Sequence, residues 1–173
     1  PEARGKARAL LADAYSEVGD WNKAMDAYRR ALEEPANSDS RMKTRLSTGL
    51  GMTALKLELP EMAVAALQEA AHAEPLNGQI QRNLCEAYIA NGLSQDAFQA
   101  ATSALELASS EINTLVWFID QGTRIAALPG SAAQPILLEV IHVLRIALQK
   151  SPERADLLIK LGQLLIQTES RVE

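Results

Sequence analysis

Aromatic residues make up only 4% of the 173 residues. That scarcity argues against a β-sheet core, because sheets draw on aromatic and β-branched side chains to fill their pleated faces. The apolar fraction is still 47%, so the interior has to be made mainly of Ala and Leu, which suits closely packed helices. Cysteine is nearly absent. The single Cys85 excludes an internal disulfide framework. It does not fix the compartment, for which the cytoplasm is the default expectation.

Charge of one sign is also missing as a block. Lys and Arg number 17 against 22 acidic residues, for a net charge of −5, and the cations are scattered singly or in pairs. Phosphate backbones are bound by clustered cations, so no nucleic acid is expected as a ligand. No apolar run reaches the ~18 residues of a membrane span, and "PEARGKARAL" has no signal-peptide core. The sequence lacks an initiator Met and stops at "TESRVE" directly after a helical pattern. It is therefore expected to be part of a longer chain.

Catalytic signatures are missing as well. There is no CxxC, HExxH, P-loop or GxGxxG. His72 and His142 stand 70 residues apart. His72, in "AAHAEP", suits a helix end, where a cation meets the dipole favourably. His142, in "EVIHVLR", suits a helix surface. Cys85 reads as a small buried thiol with no predicted base beside it. No catalytic, cofactor-binding or metal-ligating residue is assigned, no cofactor is expected, and the segment is not expected to be an enzyme.

What is present is punctuation and period. Pro35, Pro60, Pro75, Pro129, Pro135 and Pro152 fall between apolar-periodic runs, where they start or stop helices without breaking them. The spacing predicts nine helices, over 3–17, 21–34, 39–57, 60–73, 77–91, 94–109, 111–128, 135–150 and 153–169. "INTLVWFI" (112–119) has strand-like residues but continues at helical spacing, so no strand is predicted.

The helices come in pairs and the pairs repeat. Ala31, Ala70, Ala104 and Ala147 recur at steps of 39, 34 and 43. Leu11, Leu50 and Leu84 recur at 39 and 34, as do Ala24, Ala63 and Ala97. Each of those leucines precedes a small residue, Ala12, Gly51 or Cys85, and Leu161-Gly162 repeats the pair. Tyr15 and Tyr88 share a slot filled by Ala54 in between. A base period of 34 with two insertions fits these positions.

"LLADAYSEVGDWNKAMDAYRRAL" (10–32) resembles a tetratricopeptide (TPR) repeat, a helix-turn-helix unit of about 34 residues. "LCEAYIANGLSQDAFQAATSAL" (84–105) and "LGMTALKLELPEMAVAALQEAAHAEP" (50–75) are further matches. The match is close over 5–109, degenerate over 112–152, where "LPGSAAQP" reads as a lengthened loop, and returns at 155–167. Gly19 and Gly92 would allow positive φ at the tight link within a pair. Ala12, Gly51, Cys85 and Gly162 would admit a partner helix. Trp21 would brace its helix pair and Trp117 would lie in the core.

The resemblance implies an all-α, right-handed α-solenoid of antiparallel helix pairs, a TPR superhelix. It would form a single domain over 1–173, with repeats at 5–38, 44–77 and 78–111, a degenerate one at 112–154 and a partial one at 155–173. It also implies a protein–protein interaction scaffold, whose concave groove is lined by the first helix of each pair. The candidate partner-binding residues in that groove are Lys6, Asp13, Arg45, Met52, Leu55, Arg82, Glu86 and Ile89. Ala9, Ser16, Glu17, Thr48 and Gln79 share the same helix faces, as do Asp156, Ile159, Gln163 and Ile166 on the last helix.

The partner expected is a peptide or protein with acidic and apolar residues. A chaperone-tail carboxylate clamp is not expected. That family mode needs Lys and Asn one turn apart on the first helix of a repeat, and this sequence has Ala9 and Asp13, or Thr48 and Met52, at those places. Two alternatives stand beside the groove reading. One is a regulatory or sensor segment packed against a protease or NTPase effector domain of the same protein. The other is self-association through the C-terminal helix, where Leu158, Leu161 and Leu165 share a face.

Overall fold

The structure is a computed structural model that describes residues 2–34 and 39–169. Pro35, one of the predicted helix stops, lies outside the described residues. Among the described residues there are nine α-helices and no strand. They are α1 (Glu2–Val18), α2 (Trp21–Leu32), α3 (Ser40–Lys56), α4 (Pro60–Ala73), α5 (Gly78–Ala90), α6 (Ser94–Leu107), α7 (Ile112–Ala126), α8 (Ala133–Lys150) and α9 (Ala155–Glu169). Every helix end lies within two residues of its predicted place. "INTLVWFI" is helical, inside α7. Helix α8 starts ahead of Pro135, not at it, because a first-turn residue has no intrahelical partner for its N–H and tolerates proline.

Local chemistry sets most boundaries in the first half. Asp20 caps α2 by accepting from the Lys23 amide, and Asp39 caps α3 by accepting from the Met42 amide at 3.2 Å. Asn77 caps α5 through the amides of Gln79 and Ile80. Pro60 opens α4. After α1, Gly19 takes a φ of +82°. The Asp20 amide then reaches back to the Tyr15 carbonyl, and the Gly19 amide to that of Ser16. This is the Schellman closure that a left-handed residue permits. The same closure ends α3, where the left-handed residue is Glu58 (φ +57°) and the Leu59 amide bonds the Ala54 carbonyl at 2.9 Å.

The chain divides into two compact units, Pro1–Asn91 and Gly92–Glu173. In the first, α1 packs on α2 and α3 on α4, and α2–α3 and α4–α5 contacts join the pairs. Helix α3 also touches both α1 and α5. The first helices of the pairs thus form one layer, with α2 and α4 behind it. In the second unit, α6 packs on α7, α7 on α8, and α8 on α9.

Small residues make the close approaches. A Cβ added at Gly51 would lie 2.5 Å from Leu67 Cγ, so α4 inserts a leucine against the α3 backbone. At Gly122 the neighbour is Val140 Cγ2 at 2.3 Å. Ala12 and Cys85 are fully buried, and Cys85 is a free thiol. Gly162 departs from expectation. A Cβ there would meet nothing within 4 Å, so among the described residues this small-residue slot is open. Trp21 and Trp117 are both half-buried.

Candidate functional site

The layer of α1, α3 and α5 carries all eight sequence-predicted site residues. The structure joins two of them directly. Arg45, on α3, donates from Nη2 to Oδ2 of Asp13, on α1, at 2.6 Å. The pair is solvent-accessible, with side-chain exposures of 49% for Arg45 and 37% for Asp13. Lys6 is exposed on α1 two turns before Asp13, and Met52 is exposed two turns beyond Arg45, with half-buried Leu55 after it. On α5, Arg82 and Glu86 are half-buried. Ile89 is only 9% exposed, so little of its surface is open to a ligand. Ala9, placed on the same face by its spacing, is 1% exposed and belongs to the core of the first unit.

Tyr28 is not among the sequence-predicted site residues. Its ring is buried at 4% exposure, but its hydroxyl donates to Asp13 Oδ1 at 2.9 Å. The phenol thus reaches the α1–α3 face from the layer behind. Gly49 makes room, since a Cβ there would sit 2.5 Å from Tyr28 Cζ. The available signal was Gly49 itself, a glycine inside a helical pattern that already had Gly51 for the pair contact. Burial pushes the Tyr28 phenol up to about 12, and the bond to Asp13 adds to the rise. A side-chain bond with Ser16 and the nearby Arg45 charge act in the opposite sense.

Asp13 therefore has each carboxylate oxygen engaged, one by a neutral hydroxyl and one by a guanidinium. The second bond is charge-assisted and the stronger kind. The cluster Asp13–Tyr28–Arg45 ties three consecutive helices together at one point of the exposed layer. Such a point can offer a charged, pre-oriented contact to a peptide. Elsewhere, His72 and His142 are exposed on α4 and α8. Among the described residues no group of three or more His, Cys, Asp or Glu is placed to hold a metal ion, and no helix is long and apolar enough to cross a membrane.

The tetratricopeptide repeat family models match residues 5–37 and 48–112, together more than half of the chain. No curated protein sequence matches it. Among solved structures, the chain is similar to YrrB, described as a TPR protein with an unusual peptide-binding site. Identity is 20%, coverage is 95% of this chain and 77% of YrrB, and the TM-score is 0.70. It is similar to MamA (41-end) from Desulfovibrio magneticus RS-1, with 18% identity, coverage of 82% and 76%, and a TM-score of 0.63. It is also similar to the first TPR of Spaghetti (RPAP3) bound to the HSP90 peptide SRMEEVD, with 13% identity, coverage of 73% and 97%, and a TM-score of 0.62. Paired helices with no strand among the described residues, small residues recurring at the helix contacts and these matches agree: the chain belongs to the tetratricopeptide repeat family and is an all-α helical-repeat solenoid that serves as a protein–protein interaction module.

Proposed function

We propose that the α1–α3–α5 face of the first unit binds an extended peptide segment carrying acidic and apolar residues, as a scaffold and not as an enzyme. The observation that supports this most is on α3. An accessible guanidinium, Arg45, has an exposed Met52 two turns further on and then Leu55, so one helix face offers a charge and an apolar strip. Arg82 adds a cation on α5. Neighbours of the same fold include one described by its peptide-binding site and one bound to a peptide. A chaperone-tail clamp is not proposed, because Ala9 is buried and Asp13 is an anion in the place where that mode needs a neutral donor.

A peptide array with a subsequent pull-down is the test. Arg45→Glu and Arg82→Glu are expected to lower capture of acidic-apolar peptides by at least about tenfold, since each reverses a charge at the contact. Unchanged capture by both variants overturns the reading.

A second reading, self-association, is favoured by α9. Leu158, Ile159 and Ile166 are 52%, 64% and 70% exposed, and the Gly162 slot between them is open. Lys160, the cation within that span, is paired with Asp120 of α7. An antiparallel pair of α9 helices from two copies would set Leu158 and Ile159 of one against Gly162 of the other, as Leu67 fills Gly51. Sedimentation should then show a concentration-dependent dimer that Gly162→Arg abolishes. A monomer at all concentrations excludes it.

A further inference from the structure

We propose that Asp13 sets the charge selectivity of the groove. It holds Arg45 through one nitrogen, leaves one bidentate edge of the guanidinium to a single carboxylate of the ligand, and disfavours a run of acidic residues. The proposal rests on reading the α1–α3–α5 face as a peptide groove, and it names the ligand class more closely: one Asp or Glu set among apolar residues.

Three features carry it. First, among the described residues Arg45 meets Asp13 through Nη2 alone. A guanidinium carries five N–H donors in a fixed fork, so the second Nη2 N–H and a neighbouring N–H form the one bidentate edge that remains for a second carboxylate. Second, the Asp13 charge is pinned. Its Oδ1 accepts from Tyr28 and its Oδ2 from Arg45. Tyr28 in turn cannot move aside, because its ring is 4% exposed and lies against the α3 backbone at Gly49. Third, the same face of α3 turns apolar beyond Arg45, with Met52 and then Leu55.

The consequence is electrostatic. Asp13 and Arg45 already sum to zero. The first ligand carboxylate gains charge-assisted hydrogen bonds from the free edge of the fork and tolerates one nearby anion. A second ligand carboxylate gains no further fork and meets the combined field of Asp13 and the first. A bare Arg45 would instead reward every added negative charge. Asp13 thus converts an acid-attracting site into one that counts acids, and the exposed Met52 favours an apolar residue where the second acid would lie.

Fluorescence anisotropy with two labelled synthetic peptides tests this. One carries a single Glu flanked by Leu and Ala, and the other is hexaglutamate. The wild-type chain is expected to bind the single-Glu peptide at least about fivefold more tightly than hexaglutamate, because like charges brought together disfavour a partner. Asp13→Asn keeps an acceptor for Tyr28 or Arg45 while removing the charge. It is expected to raise hexaglutamate affinity about five- to tenfold and the single-Glu affinity no more than about twofold. Asp13→Ser should give the same change of ratio if the charge is the cause, and it stands in should the Asn variant fold poorly. A ratio unmoved by both variants overturns the role of Asp13 while leaving the groove standing. If Arg45→Glu leaves both peptides unaffected, the groove reading itself fails.

Discussion

The two units are built from the same kind of helix yet are specified differently. In the first, α2, α3 and α5 each begin at a side chain that accepts a backbone amide, and α4 begins at a proline. In the second, α6, α7 and α8 have no side-chain cap bond. Their interiors differ in the same sense. The α1–α3 core of the first unit is centred on Ala9, Ala12, Ala24, Ala31 and Leu46, with Tyr28 as the large member, and Leu67, Ile80 and Leu84 are buried further along. The second buries bulkier, branched and aromatic side chains, namely Phe118, Ile119, Ile125, Leu137, Val140 and Leu144. Phe98 and Phe118 meet at 6.0 Å between ring centroids, tilted by 48°. One unit is held by local signals that punctuate each helix. The other relies on the volume of its core.

The largest effect should come from removing that volume. Phe118 is fully buried, and Phe118→Ala is expected to destabilise the second unit by about 3–5 kcal/mol, as for other buried Phe truncations. Hydrogen exchange resolved by segment should show protection lost over α6 to α9 and kept over α1 to α4. Equal loss in both would mean that the units do not differ as described.

An intermediate effect distinguishes the polar lock of the first unit. The folded Tyr28 phenol sits near 12 against an ordinary value of 10.0, so its neutral form is favoured by folding. The stability this contributes is fully present below the unfolded value and is lost as pH rises through the folded one. Denaturant midpoints of the wild-type chain should therefore fall more steeply between pH 10 and 12 than those of Tyr28→Phe. Parallel profiles would show that Tyr28 is not held as its bond to Asp13 implies.

The smallest effect sharpens the repeat comparison. Gly19, Glu58 and Gly92 occupy equivalent turn positions at positive φ, and only Glu58 carries a Cβ. Glu58→Gly is expected to stabilise the first unit by about 1 kcal/mol, because a left-handed L-residue is strained by roughly that amount. A thermal melt that shifts down would show that the Glu58 side chain makes a compensating contact.

Much of the fold was legible in the sequence, and the reasons are specific. Pro60, Asp39 and Asn77 act within a few residues of themselves, so the ends of α3, α4 and α5 could be placed from sequence. The Leu–small pairs at Leu11, Leu50 and Leu84 recur because each pair of helices repeats one contact. The site was only half legible. Asp13 and Arg45 were placed on one face by helical spacing together with the resemblance, but their bond depends on how α1 and α3 lie beside each other. Ile89 and Ala9 share that spacing and are nonetheless buried, since periodicity gives the direction of a side chain and not what lies in front of it. Gly162 matches Gly51 in sequence, yet one slot is filled and the other open.

The sequence by itself determined the helices, the pairing of α1 with α2, α3 with α4 and α7 with α8, most of the small residues at their contacts and the lack of clustered cations and catalytic motifs. These arise from interactions within a turn or within one repeat. Only the tertiary structure decided that Tyr28 passes Gly49 to reach Asp13, that Arg45 is held through its Nη2, and that the chain divides into two units at Asn91. Those outcomes depend on distances between side chains on different helices, set by packing that no local pattern encodes.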